Sequence, residues 1–252
     1  MARRLLRIAL WLFAALFALI LAWQASFAAR IWWWRDHNPD LTAFMASRLD
    51  RLREKDPKAA LQHQWVPYQR ISVQLKRAII SAEDGKFLDH EGFDWEAIQK
   101  AHEKNRKRGK VVAGGSTISQ QLAKNLFLSG ERSPWRKGQE AIITVMLENL
   151  LDKRRIFEIY LNVIEWGNGV YGIGPAAQHY FGKPPGELLP EEAAVLAAMI
   201  PNPRHYSPAR GLTPYIEERK NELLKRLLRY HYLTQDECNE ALGREVVFRK
   251  AE

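Results

Sequence analysis

A chain of 252 residues, 46% hydrophobic and 27% charged, is long enough for one well-buried domain plus an appendage. Its 38 basic residues against 29 acidic ones give a net charge of +9, which suits anionic headgroups, phosphates or an anionic polymer and on charge alone leaves nucleic acid open. The single cysteine, Cys238, excludes a disulfide-stapled scaffold and a multi-cysteine metal site.

The appendage comes first. From Ile8 to Ala29 the chain is apolar apart from Gln24 and Ser26. As a helix those 22 residues reach roughly 33 Å, enough to cross a hydrocarbon core. Arg3, Arg4 and Arg7 precede the run, so the amino terminus is expected in the cytoplasm and the body of the chain outside it. Trp32, Trp33 and Trp34 follow, where indoles favour the headgroup layer. Ser26-Phe27-Ala28 loosely resembles a small-x-small cleavage site, which leaves a removed signal peptide as the alternative to a retained anchor.

Three segments are expected: residues 1–35 as cytoplasmic terminus and anchor, 36–67 as a juxtamembrane segment, and 68–252 as the main domain. In the second, Leu41, Phe44, Met45, Leu49 and Leu52 recur at roughly helical spacing. Val73 to Ala82 reads as a helix that delivers Glu83 and Asp84 at its end. Trp95 to His102 is a second short helix, and Lys104 to Lys110 follows as a charged, solvated loop. Ser116 to Asn125 opens another helix, with Ser116 or Thr117 near its start. Lys137 to Val163 carries the longest apolar stripe and is expected as one core helix. Gly167, Gly169, Gly172 and Gly174 mark a bent loop. Helices follow at Pro190 to Ile200, from Pro214, and from Thr234 to Gly243. No alternating strand pattern stands out, so the soluble part reads as mainly α.

The polar residues that helical packing does not require fall into three groups. Glu83 and Asp84 are adjacent carboxylates at a helix end, where one can face a cleft and the other the backbone. A shielded glutamate has a raised pKa and can act as a base near neutrality, although a solvated acidic helix end is the commoner fate of such a pair. His90 is assigned a structural role, and Phe87 and Phe93 are expected to pack the loop around it. Gly114 and Gly115 let backbone approach a ligand closely, and Ser116, Thr117, Gln120 and Gln121 supply neutral donors and acceptors. Lys124, Arg132, Arg136 and Lys137 follow, with Glu140 three residues beyond Lys137. Converging cations can stabilise a pyrophosphate leaving group. On spacing alone, Lys137 and Glu140 are equally a surface salt bridge.

Together these segments are more specific than any one of them. Glu83-Asp84-x-x-Phe87-x-x-His90-x-Gly92, Gly115-Ser116-Thr117-Ile118-x-Gln120-Gln121 with Lys124 and Asn125, Arg136-Lys137-x-x-Glu140, Lys153 through Glu158-x-Tyr160-Leu161-Asn162, and Pro201-Asn202-Pro203 occur in that order. The chain thereby resembles the family 51 glycosyltransferases, the peptidoglycan polymerases. Ser119 stands where a threonine is frequent and Phe157 where an aliphatic residue is.

The resemblance implies a lysozyme-like, mainly α glycosyltransferase domain with a smaller jaw lobe. It implies lipid II as donor and acceptor, a β-1,4 glycan strand as product, and undecaprenyl pyrophosphate as leaving group. Glu83 is then the general base, and Glu140 the second acid, organising the pyrophosphate through a basic side chain or a divalent cation such as Mg²⁺. Lys124, Arg132, Arg136 and Lys137 are expected to bind phosphate, and Ser116, Gln121 and Asn125 to contact donor groups. No organic cofactor is expected. The implied partners are the growing glycan chain, membrane lipids and cell-wall synthesis or division proteins, with no nucleic acid, and the implied setting is the inner membrane with a periplasmic catalytic domain. No Ser-x-x-Lys or Lys-Thr-Gly segment occurs, as in the monofunctional members of that family. Two rivals remain: a lysozyme-like hydrolase, which has no use for the cations, and a tethered basic binding module using Lys104 to Lys110.

Overall fold

A computed structural model describes residues 2–110, 114–131, 133–206 and 211–249. The first helix, α1 (Ala2–Trp33), is long and apolar enough to cross a membrane. Its first two-thirds are exposed, and only its end meets the domain, where Phe27 and Ile31 are buried. Phe27 packs edge-on against Phe127 at 5.0 Å, and the Arg30 guanidinium lies over the same ring at 4.8 Å. The three tryptophans divide: Trp32 and Trp33 are exposed, while Trp34 turns inward against Phe127. Arg155 fixes that turn by donating to the Trp34 carbonyl and to Asn38 Oδ1, both at 2.8 Å.

α2 (Ala43–Arg53), capped by Thr42, packs on the helix α5 (Ile118–Phe127). The strand β1 (Gln62–His63) then runs parallel to β3 (Val170–Tyr171), which pairs antiparallel with β2 (Glu165–Gly167). The sheet escaped the sequence reading because strands of two or three residues are too short to show alternation. Asn162 holds its approach, accepting from Val66 N at 2.8 Å and donating to Val66 O at 2.9 Å.

The main body has two groups of helices. α9 (Pro190–Met199) is buried along its whole length between α3 (Val73–Glu83) and α10 (Pro214–Arg229). α11 (Gln235–Gly243) packs against α10, and Thr234 caps it with Glu237 in a capping box. In the second group α5 packs against α6 (Pro134–Leu150) and α7 (Lys153–Val163). α8 (Ile173–Phe181) lies beside the sheet and contacts α7.

Two expectations are corrected here. The segment Lys137 to Val163 is two helices, not one. Leu151 is extended, with φ −123° and ψ 150°, and Asp152 caps α7 by accepting from Arg155 N at 2.7 Å. The apolar stripe ran unbroken because α6 and α7 both face α5. The charged run from Lys104 is not a loop: α4 (Trp95–Arg108) continues through it and ends at Gly109, φ +62°. Lys, Arg and Glu are good helix formers, and three basic residues in the last turn suit the helix dipole. A helix with so little apolar surface is legible by propensity but not by periodicity.

Candidate active site

The site lies where the end of α3 meets the start of α5. Glu83 is the last residue of α3 and lines a cleft of about 450 Å³ with Asp84, Lys100, Ser116, Arg226 and Tyr230. The two adjacent carboxylates diverge. Asp84 is buried and accepts from the Ile118 backbone N–H at 3.0 Å, which ties α3 to the first turn of α5. His90 Nδ1 accepts from Gly92 N at 3.1 Å, so the ring proton sits on Nε2, which donates to Asp84 at 3.0 Å. His90 thus has the structural role expected of it. Phe87 is buried beside it, while Phe93 is partly buried and stacks on Trp95.

Glu83 faces a different environment. Its Oε2 accepts from Gln121 Nε2 at 2.8 Å, and Gln121 Oε1 accepts from the Tyr160 hydroxyl at 3.0 Å. Tyr160 is fully buried, and burial pushes its hydroxyl well above the usual tyrosine range, so it stays a donor. That fixes the Gln121 amide with its N–H toward the carboxylate. Burial raises the Glu83 pKa from 4.5, and the neighbouring Asp84 adds to the rise. The Gln121 hydrogen bond, Arg219 and Lys124 oppose it. A carboxylate desolvated yet steadied by one amide and two cations is equipped to take a proton near neutrality.

The glycine turn behaves differently at its two positions. A Cβ on Gly115 would lie 2.8 Å from Ile98 Cα, so this glycine admits α4. Gly114 meets nothing within 4 Å and borders the cleft. Thr117 caps α5, and Gln120 completes the capping box by accepting from Thr117 N at 3.0 Å. Of the two successive glutamines, only Gln121 turns to the site. Ser116 is exposed on the cleft wall. Asn125 is buried and donates to Gln121 O at 2.8 Å, which points its amide along its own helix. Lys124 lies one turn after Gln121, 5.4 Å from the Phe44 ring centroid.

A second cluster occupies the first turns of α6. Glu140 is buried and binds Arg136 Nη1 at 2.7 Å and Lys137 Nζ through its two oxygens. Two cations on one acid leave an excess positive charge at a helix amino end, which also favours anions. Arg136 Nε is buried and has no partner among the described residues, a donor left for something outside them. Next to Glu140 in sequence, Gln139 exchanges two hydrogen bonds with Gln24 of α1, at 2.8 and 2.9 Å. The cation cluster is therefore held beside the apolar helix. Arg132 lies outside the described residues.

The resemblance ties a divalent cation to Glu140. Both oxygens of that carboxylate are engaged by cations, and no group of three His, Cys, Asp or Glu residues that could hold a metal occurs among the described residues. These side chains do not form a cation cage on their own.

The basic residues of the fourth motif all contact groups within the domain. Lys153 pairs with buried Glu148 at 2.9 Å and lies 4.7 Å from the Phe87 ring centroid. Arg154 lies over Tyr68, and Arg155 pairs with Glu158 at 2.8 Å. The sequence reading missed Arg219, Arg226 and Tyr230. Arg219 and Arg226 lie on α10 and Tyr230 just past its end, in one stripe at i, i+7 and i+11 that runs alongside the leucine face. That polar stripe was a readable signal. Arg226 donates to Ser81 O at 2.6 Å, which places it at the cleft.

Comparison with known proteins identifies the family. The transglycosylase family matches residues 49–228. A biosynthetic peptidoglycan transglycosylase of Azoarcus sp. (strain BH72) is 60% identical over 204 residues, covering 80% of this chain and 88% of the relative. That of Janthinobacterium sp. (strain Marseille) is 58% identical over 217 residues, covering 86% and 94%. That of Dechloromonas aromatica (strain RCB) is 61% identical over 200 residues, covering 79% and 87%. The chain, matched over well more than half its length and closely similar to relatives it nearly spans, belongs to the transglycosylase family.

Proposed function

We propose that the protein polymerises lipid II into β-1,4-linked glycan strands and releases undecaprenyl pyrophosphate. The family and its relatives make it a peptidoglycan glycosyltransferase. The observation that carries the finer reading is the hydrogen-bonded contact between Gln139 and Gln24, which sets the cluster of Arg136, Lys137 and Glu140 against the apolar helix α1. A phosphate site at that place suits a donor whose pyrophosphate is tethered by a lipid. The hydrolase reading gives those cations no work.

In this mechanism Glu83 takes the proton from the acceptor 4-hydroxyl as that oxygen attacks C1 of the donor sugar. The C1–pyrophosphate bond breaks on the opposite face, so the configuration inverts. Gln121 holds the base by donating to its Oε2. Arg136 and Lys137, steadied by Glu140, receive the charge that develops on the leaving phosphate. Lys124, Arg132, Ser116 and Asn125 complete the donor site in this reading. A divalent cation such as Mg²⁺ would add positive charge that stabilises the leaving phosphate, and the described side chains do not hold one by themselves.

α1 is the single-pass anchor in this reading, in the inner membrane, with the catalytic domain on the periplasmic side. Membrane lipids and the growing glycan are its immediate partners, and cell-wall synthesis or division proteins its wider ones.

The direct test is incubation of the detergent-solubilised protein with labelled lipid II, with and without Mg²⁺, and separation of products by size. Polymer digestible by lysozyme is expected. Cleavage of preformed glycan without polymer would move the protein to the hydrolases. Neither activity, from folded protein, would favour a binding module.

The basic end of α4 gives a second expectation. Lys104, Lys107 and Arg108 border a shallow hollow with Lys100, which also lines the cleft. Replacing Lys104, Arg106, Lys107 and Arg108 by Gln is expected to lower polymerisation by no more than about fivefold, since exposed charges each contribute little. Complete loss in a folded variant would make this helix part of the site.

A further inference from the structure

The apolar run of α1 holds two polar side chains, and they are satisfied in different ways. Ser26 Oγ donates to Trp23 O at 2.7 Å, within its own helix. Gln24 has a long amide that reaches another helix. Its Nε2 donates to Gln139 Oε1 at 2.8 Å, and Gln139 Nε2 donates back to its Oε1 at 2.9 Å. Gln139 is 4% exposed. Elsewhere Phe27 packs on Phe127 under the Arg30 guanidinium, ring contacts that tolerate sliding, and Arg155 holds the turn just past the helix at the Trp34 carbonyl. Within the apolar run itself, a reciprocal amide pair does not tolerate sliding. A slip of one residue turns Gln24 by about 100° around its helix and leaves two amides unpaired. In hydrocarbon no water replaces the lost partner.

We infer that the Gln24–Gln139 pair is a positioning device that fixes the height of the phosphate-binding residues relative to the membrane, and so selects donors whose pyrophosphate is held at the headgroup level by a lipid. This rests on α1 spanning a membrane, as proposed above. Gln24 lies six residues before Arg30, where the apolar run ends, about 9 Å along the helix. Gln139 therefore draws the first turns of α6 down to the edge of the span. Arg136, Lys137 and Glu140 lie within three residues of it on the same helix. A lipid-borne pyrophosphate has almost no freedom in height, so the cluster must be set at its level.

The test uses the full chain in lipid vesicles, with Gln24→Leu, Gln139→Leu and the double variant. Gly138 is exposed on α6, and a Cβ there meets nothing within 4 Å, so Gly138→Cys takes a fluorophore while buried Cys238 does not react. Quenching by lipids brominated at known depths then reads the height of α6 without any turnover. Each single variant strands one amide and is expected to melt lower. The double variant removes both and is expected to melt like the parent.

Even so, its label should lose its single depth. Its KM for a long-chain donor should rise about tenfold, a modest loss for a misplaced binding group. Its kcat, and its KM for a short-chain, water-soluble donor, should stay unchanged. Parental depth and parental KM in the double variant would reduce the pair to a stability contact and overturn the inference. So would a parent label that no lipid quenches, which would also remove the membrane-spanning reading. If the parent proves inactive on lipid II, the polymerase reading fails, and the depth arm alone decides the inference.

Discussion

Glu83→Gln is expected to abolish measurable polymerisation while leaving donor binding close to normal. The substitution keeps the side chain's volume and one acceptor for the Gln121 amide, and removes only the ability to take a proton. General bases contribute about 10²–10⁴-fold, so residual turnover should fall at or below about 1%. Steady-state polymerisation and donor binding, measured on the same preparation, decide it. Near-normal turnover would remove Glu83 from the base role and leave the cleft without a named base.

The same substitution carries a pH signature of defined sign. Burial raises the folded-state pKa of Glu83 above 4.5. The fold therefore prefers the protonated carboxyl. The stability that preference contributes is fully present below the unfolded pKa and is lost as pH rises through the raised folded value. At neutral pH the ionised Glu83 weakens the fold, and a permanently neutral Gln does not. Glu83→Gln is thus expected to melt above the parent at pH 8, with the gap closing as pH falls toward 4.5. In the parent, activity should fall on the acid side along a limb above the ordinary carboxylate range. A variant that melts lower at every pH would mean that Glu83 is structural.

What the sequence could and could not reveal follows from how each feature is encoded. Caps are local, and the starts of α5 and α11 were readable from Thr117 and Thr234. Proline at the first helical position announced α9 and α10. The break between α6 and α7 depends on one Asp152 side chain competing with a helical hydrogen bond, inside a stripe that stays apolar throughout. α4 has the opposite defect, a helix whose charged face hides any period.

In the site, the divergence of Glu83 and Asp84 was foreseeable in kind, but the partners that cause it were not. Asp84 binds Ile118, 34 positions on, and Glu83 answers to Arg219, 136 positions on. Gln120 and Gln121 look equivalent in sequence, and only the start of α5 sets one to the cap and the other to the cleft. The Gln24–Gln139 pair joins residues 115 positions apart, and neither is unusual alone.

Glu140→Gln is expected to be the second severe variant, through the cations it holds and not through any proton it moves. The carboxylate is buried and binds Arg136 and Lys137 together. An amide of the same size offers one acceptor oxygen and turns an NH₂ group toward a cation. Arg136 and Lys137 then lose the counter-charge that sets them side by side, and the developing charge on the leaving phosphate meets donors out of place. Removing one such donor from a prepared site costs about 10²–10³ in rate, so kcat/KM for the lipid donor should fall by at least about 10²-fold.

Arg136→Ala and Lys137→Ala should each lower the same parameter. Either combined with Glu140→Gln should cost less than the sum of the single effects, because the three residues act as one unit. Lys137 is half exposed, so its pairing alone contributes little to stability. Melting should therefore change far less than kinetics in Lys137→Ala. Unchanged kinetics in both alanine variants, with melting lowered, would make the cluster a salt bridge of the fold and move the phosphate site elsewhere on the molecule.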